Sequence, residues 1–112
     1  MERRHAEISG LKAKEGPPGV FRTTLSYDAS SMLCHFHLQR DARIPLHDHE
    51  AVQHGYVLRG AVRFVGPRGA LFEARAGSSY VFASREEHGA EVLEDSEVLD
   101  FFVPMRPEYV DN

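Results

Sequence analysis

The chain has 112 residues, 42% of them apolar and 27% charged, with a formal net charge of −4. That is chain enough for one domain, with no basic stripe for nucleic acid and no apolar run of membrane-spanning length. Its single cysteine, Cys34, excludes an internal disulfide, and the polar opening Met1–Glu7 holds no secretory apolar segment, so a cytoplasmic protein is expected.

Residues 1–16 are polar and weakly patterned, an N-terminal extension suited to a short helix or an added strand. Gly16-Pro17-Pro18-Gly19 then breaks the chain. Beyond it come short apolar runs rich in Val, Phe, Leu and Tyr, punctuated by turn residues such as Asp28-Ala29-Ser30-Ser31, Gly66-Pro67-Arg68-Gly69 and Glu94-Asp95. The pattern predicts strands at Val20–Tyr27, Met32–Gln39, Ile44–His47, Gln53–Leu58, Ala61–Val65, Leu71–Ala74, Tyr80–Ala83, His88–Leu93 and Val98–Val103. Many short strands and no helical period after residue 20 point to an all-β sandwich or barrel. Leu58-Arg59-Gly60-Ala61 reads as a tight hairpin with Gly60 at positive φ. In the second strand Met32, Cys34, Phe36 and Leu38 share one face and make the natural inward set, which turns His35 and His37 outward.

Seven histidines in 112 residues is a high count, and their placement gives it meaning. His47 and His49 are two apart, so an extended backbone puts both imidazoles on one face and Asp48 on the other. Gln53 shares their parity and offers an amide oxygen. Its neighbour His54 is the alternative fourth ligand, should a bulge shift the register. His88 opens a late strand. Three imidazoles and an amide would leave a divalent ion its full charge, favouring Lewis-acid chemistry and anionic ligands. Nickel, zinc, manganese, iron and cobalt all suit such a set.

Val98-Leu99-Asp100-Phe101-Phe102-Val103 carries one carboxylate inside an apolar strand. If that face is buried, Asp100 needs a partner, a raised pKa or a wet pocket; if the strand is an edge, it faces water. Arg106 follows Pro104 and is placed either to pair with Asp100 or to clamp a carboxylate ligand.

The string H-x-H-x3-Q-x6-G on His47, His49, Gln53 and Gly60, followed by G-x5-A-x4-H on Gly77, Ala83 and His88, resembles the two cupin motifs. Glutamine stands where glutamate is usual, and Ala83-Ser84-Arg85 where proline and glycine are usual. The resemblance implies a cupin double-stranded β-helix, a jelly-roll β-barrel, spanning residues 1–112 as one domain with its core at about 17–109. It also implies one divalent metal ion on His47, His49, Gln53 and His88. The frame D-x-F-x-P-x-R on Asp100, Phe102, Pro104 and Arg106 further resembles the small pectin-degradation cupins, which also use glutamine at the motif position; Met105 departs from their usual proline.

That second resemblance implies a catalytic group of Asp100, Arg106 and Phe102. The implied substrate is a small anionic sugar acid: an unsaturated uronate of the 4,5-unsaturated galacturonate type, opened to the 5-keto-4-deoxyuronate. A homodimer is expected, with no nucleic-acid or membrane partner. The other readings open to such a chain are a metal-dependent dioxygenase and a non-catalytic sugar-acid-binding cupin.

Overall fold

The computed structural model describes residues 2–110. Their strands are β1 (Lys14–Glu15), β2 (Val20–Tyr27), β3 (Met32–Leu38), β4 (Arg43–His47), β5 (Val52–Arg59), β6 (Ala61–Gly66), β7 (Gly69–Arg75), β8 (Ser79–Phe82), β9 (His88–Val92) and β10 (Ser96–Val103). The N-terminal extension holds both expected features in miniature, a 3-10 turn at Ile8–Gly10 and the two-residue β1. A second 3-10 turn, Pro107–Tyr109, follows β10. Among the described residues no helix is long and apolar enough to cross a membrane.

All strand pairs are antiparallel. They make two sheets, ordered β1-β2-β3-β10-β5-β8 and β4-β9-β6-β7. The short connection Leu93–Asp95 carries the chain from β9 in one sheet to the last strand, β10, in the other, where it lies between β3 and β5, so Asp100 is on a central strand. The edge-strand alternative is thereby excluded.

Alternation of side chains explains the core. On β3, Met32, Cys34, Phe36 and Leu38 are buried while Leu33, His35 and His37 are half-buried on the outside. His35 there meets Glu97, with Nε2 2.9 Å from Oε1. β6 and β9 supply Val62, Phe64, Ala90 and Val92 from the facing sheet. The β5–β6 hairpin requires glycine at its corner: Gly60 sits at φ 93°, and a Cβ there would fall 2.1 Å from the Ser96 hydroxyl oxygen.

Strand ends differ from expectation by a residue or two where the backbone finds a partner outside its ladder. Gln39 turns its N–H to the Gly19 carbonyl, and Leu93 turns its N–H to the Ala61 carbonyl. Both residues leave the strands they were expected to end.

Candidate metal centre

Three elements converge at one end of the cavity. His47 ends β4 and pairs across the ladder with His88, the first residue of β9. His49 lies just past β4, and Gln53 sits on β5 facing inward. His49, Gln53 and His88 are buried; His47 is half-buried and opens to the cavity. The ring centroids are 5.5 Å apart for His47 and His49, 4.5 Å for His47 and His88, and 5.1 Å for His49 and His88. One ligand atom from each of the three lies within 4.8 Å of the others.

Hydrogen bonds set which nitrogen faces the centre. The Nδ1 atoms of His47, His49 and His88 each lie 2.8 Å from a backbone carbonyl, those of Pro45, Ala51 and Glu86. A carbonyl can only accept, so each Nδ1 carries the proton, and a neutral ring leaves Nε2 as a lone pair. Burial lowers the pKa of His49, helped by the charge of Arg106, and lowers that of His88 to about 4. Both rings are therefore neutral at pH 7.

Gln53 completes the set. Its Oε1 lies 3.1 Å from His49 Nε2 and 3.3 Å from His88 Nε2. Its other arm, the amide NH2, donates toward the Asp100 carboxylate. The inner surface thus gathers three imidazoles and an amide oxygen as donor atoms around one point. Such a donor set fits a divalent cation, and the carbonyls of Pro45, Ala51 and Glu86 behind the rings supply the orientation that metal-bound imidazoles commonly need. His54, one residue on, is exposed on the outer face of the sheet, so no bulge exchanges it with Gln53.

The second motif keeps its shape without its glycine. Arg85, at the glycine position, adopts φ 64°, donates its N–H to the His49 carbonyl at 2.8 Å and pairs its guanidinium with Asp48 at 3.2 Å. Those contacts offset a left-handed backbone that costs a non-glycine residue about 1 kcal/mol or more. Asp48 accordingly points away from the centre.

Asp100 and Phe102 face into the same cavity from β10. Asp100 is 5% exposed and accepts a hydrogen bond from the Tyr80 hydroxyl at 2.6 Å. Burial raises its pKa to about 6, against the opposing pull of the Tyr80 and Gln53 hydrogen bonds and the charge of Arg106. Phe102 packs edge-on against His49, with centroids 5.8 Å apart. Arg106 lines the cavity but pairs with Glu108, at 3.0 Å, rather than with Asp100. Its guanidinium lies over the rings of Tyr109, at 4.1 Å, and Phe102, at 5.2 Å.

Two cavity residues escaped the sequence reading, Tyr80 and Tyr109. Tyr80 carried a faint signal, since it shares parity with Phe82 and so had to face inward. Tyr109 carried none. Its place depends on Thr24 Oγ1, which donates to the Tyr109 carbonyl at 2.6 Å, and on Arg22, stacked 4.4 Å from its ring.

The cupin domain family matches residues 34–103, the segment that holds every residue of the candidate centre. The fold is similar to that of an RmlC-like cupin from Shewanella frigidimarina, with TM-score 0.88, 22% identity and coverage of 97% of this chain and 98% of that one. It is also similar to KdgF from Halomonas, with TM-score 0.86, 27% identity and coverage of 95% and 97%. The polyketide cyclase RemF from Streptomyces resistomycificus aligns with TM-score 0.75 and 23% identity over 94% of this chain and 82% of that one. No curated protein sequence matches. The family match, on a barrel of two antiparallel sheets, shows that this chain belongs to the cupin domain family.

Proposed function

We propose that the chain is a metal-dependent enzyme that opens the ring of unsaturated uronate monosaccharides, giving the 5-keto-4-deoxyuronate. The observation that carries this reading is Asp100: a carboxyl whose pKa is pushed up to about 6 in the same cavity as the three-histidine centre and the half-buried Arg106. The likeness to KdgF from Halomonas supports it.

The reaction is an isomerisation. The C1 hydroxyl gives up its proton, the bond from C1 to the ring oxygen breaks, and an aldehyde forms at C1. The enol left at C5 becomes a ketone when C4 gains a proton. No electrons leave the molecule, which suits a ligand set that needs no redox metal.

A carboxyl titrating near neutrality can take the proton from oxygen and return one to carbon, and we assign that role to Asp100. Arg106 is the cation for the substrate carboxylate, held in orientation by Glu108 and the Tyr109 ring. Phe102 forms the apolar wall beside them. A divalent ion on His47, His49, Gln53 and His88 would supply Lewis-acid polarisation of a substrate oxygen.

The test follows the ultraviolet absorbance of freshly released unsaturated galacturonate against a protein-free blank. Protein-dependent loss that a chelator abolishes is expected. No acceleration by protein shown to contain metal would refute the reading and send the search to oxygen-uptake and ligand-binding assays.

The same proposal includes a homodimer. The outer face of the six-stranded sheet exposes Tyr56, Val81, Phe101 and Val103, and strand register makes them neighbours through His54. An apolar sheet face of this kind suits an isologous two-fold contact.

A further inference from the structure

Strand pairing sets a row of residues across the cavity wall. Asp100 on β10 pairs with Gly55 on β5, and Gly55 pairs with Tyr80 on β8. The Tyr80 ring lies directly over Gly55: a Cβ at that position would fall 2.0 Å from its Cζ and 2.3 Å from its hydroxyl oxygen. Only because residue 55 has no side chain can the phenol cross β5 and donate its 2.6 Å hydrogen bond to Asp100 Oδ1. Both side chains are buried.

Strand register makes Gln53 and Asp100 diagonal neighbours on the inward faces of β5 and β10, both buried, and the Gln53 amide acts on the Asp100 carboxyl as a donor that lowers its pKa. A carboxamide carries its donor and its acceptor on opposite arms. Holding the NH2 arm against Asp100 therefore sends Oε1 the other way, toward His49 and His88. The opposite amide rotamer has nearly the same shape, but it would aim NH2 at two imidazole lone pairs and present no ligand oxygen. A carboxylate at position 53 would not face this problem, because either of its oxygens is a ligand. A glutamine there needs something to choose its orientation.

We propose that Tyr80 and Asp100 are positioning residues for the metal centre: Tyr80 anchors Asp100, and Asp100 fixes the Gln53 amide with its oxygen toward the ion. Gly55 belongs to the same device as the opening through which Tyr80 reaches. The inference rests on the metal reading above and is independent of the sugar chemistry.

The test uses the full chain, stripped by a chelator and titrated with Zn2+ by calorimetry and with Co2+ by its visible absorption. Asp100→Leu is expected to lower Zn2+ affinity by about 10- to 100-fold, as loss of a group that orients a metal ligand commonly does. Asp100→Asn, whose carbonyl still accepts from Gln53, retains affinity within about threefold, well short of that loss. Tyr80→Phe removes one oxygen and leaves the packing intact; it is expected to shift the Co2+ bands and weaken Zn2+ binding in the same direction. Gly55→Ala does the same by displacing the ring.

The decisive variant is the double substitution Asp100→Leu with Gln53→Glu. A glutamate offers an oxygen whichever way it turns, so it restores the affinity that Asp100→Leu removes. A role for Asp100 in packing alone predicts no such rescue. Wild-type affinity in both Asp100→Leu and Tyr80→Phe, or failure of the rescue, overturns the inference while leaving the metal centre standing. A wild-type chain that binds neither ion overturns both.

Discussion

The rings of Phe82 and His88 lie face to face, their centroids 4.2 Å apart and their planes 5° from parallel. Phe82 is itself fixed among Phe64, Phe72 and Tyr80, and is 1% exposed. One face of the His88 ring is thus held by a rigid plane, while the Glu86 carbonyl holds its Nδ1. Phe82→Leu keeps the site apolar but removes the plane. It is expected to lower stability by about 1–3 kcal/mol through imperfect filling of the space. Zn2+ affinity should fall as well, by about tenfold, because an orienting contact is lost. Urea denaturation and calorimetry read the two effects separately; unchanged affinity would remove the stack from the orienting role.

Asp100→Asn tests the acid–base assignment. The variant is expected to bind metal but to lose turnover on unsaturated galacturonate by about 100-fold or more, the usual contribution of such a group. Full activity with normal metal content would remove Asp100 from the reaction.

The same carboxyl gives a pH signature in the metal-free protein. Its folded pKa of about 6 stands above the ordinary value of 3.8, so the folded state holds the proton more tightly than the unfolded chain. The stability that this confers is complete below pH 3.8 and is lost as the pH rises through about 6. Asp100→Asn abolishes that loss. Relative to wild type, it should therefore gain about 2 kcal/mol between pH 4 and pH 8. Chemical denaturation at the two pH values, in the presence of a chelator, measures this directly, and a pH-independent difference would contradict it.

Arg106 lies over the Tyr109 and Phe102 rings and is paired with Glu108, which holds its planar fork in one orientation. Lysine cannot reproduce either the fork or the stacking. Arg106→Lys should raise KM for the unsaturated uronate by about 10- to 100-fold, the equivalent of one or two charge-assisted hydrogen bonds. Metal content should be unaffected. An unchanged KM would place the substrate carboxylate elsewhere.

Light scattering should give a mass near twice the 12.6 kDa of the chain. Replacing Phe101, which is 41% exposed on the outer sheet face, with glutamate should shift that mass to the monomer. A monomeric wild-type chain would refute the dimer.

How much of this was legible in the sequence follows from the range of each interaction. The inward face of β3, the orientation of Gln53 against His54, and the outward turn of His35 all follow from a period of two, which the chain carries residue by residue; which face of β10 is inward was decided only by its place between β3 and β5. The spacing of His47 and His49 brings them to one end of a strand before any packing is considered. Gly60 announced its hairpin because only one residue type is at ease at φ 93°.

Other relationships depend on which strands become neighbours and in what register, and short-range pattern is silent on both. Tyr80 meets Asp100 because β8 and β10 flank β5 and Gly55 leaves a gap between them. Arg85 keeps the glycine backbone of its motif because the His49 carbonyl and Asp48 lie within reach to hold it. Arg106 turns to Glu108 and not to Asp100 because the 3-10 turn after β10 folds back beside it. Alternation along the chain decided which side chains enter the barrel; the pairing of distant strands, and the space left where they cross, decided which of them touch.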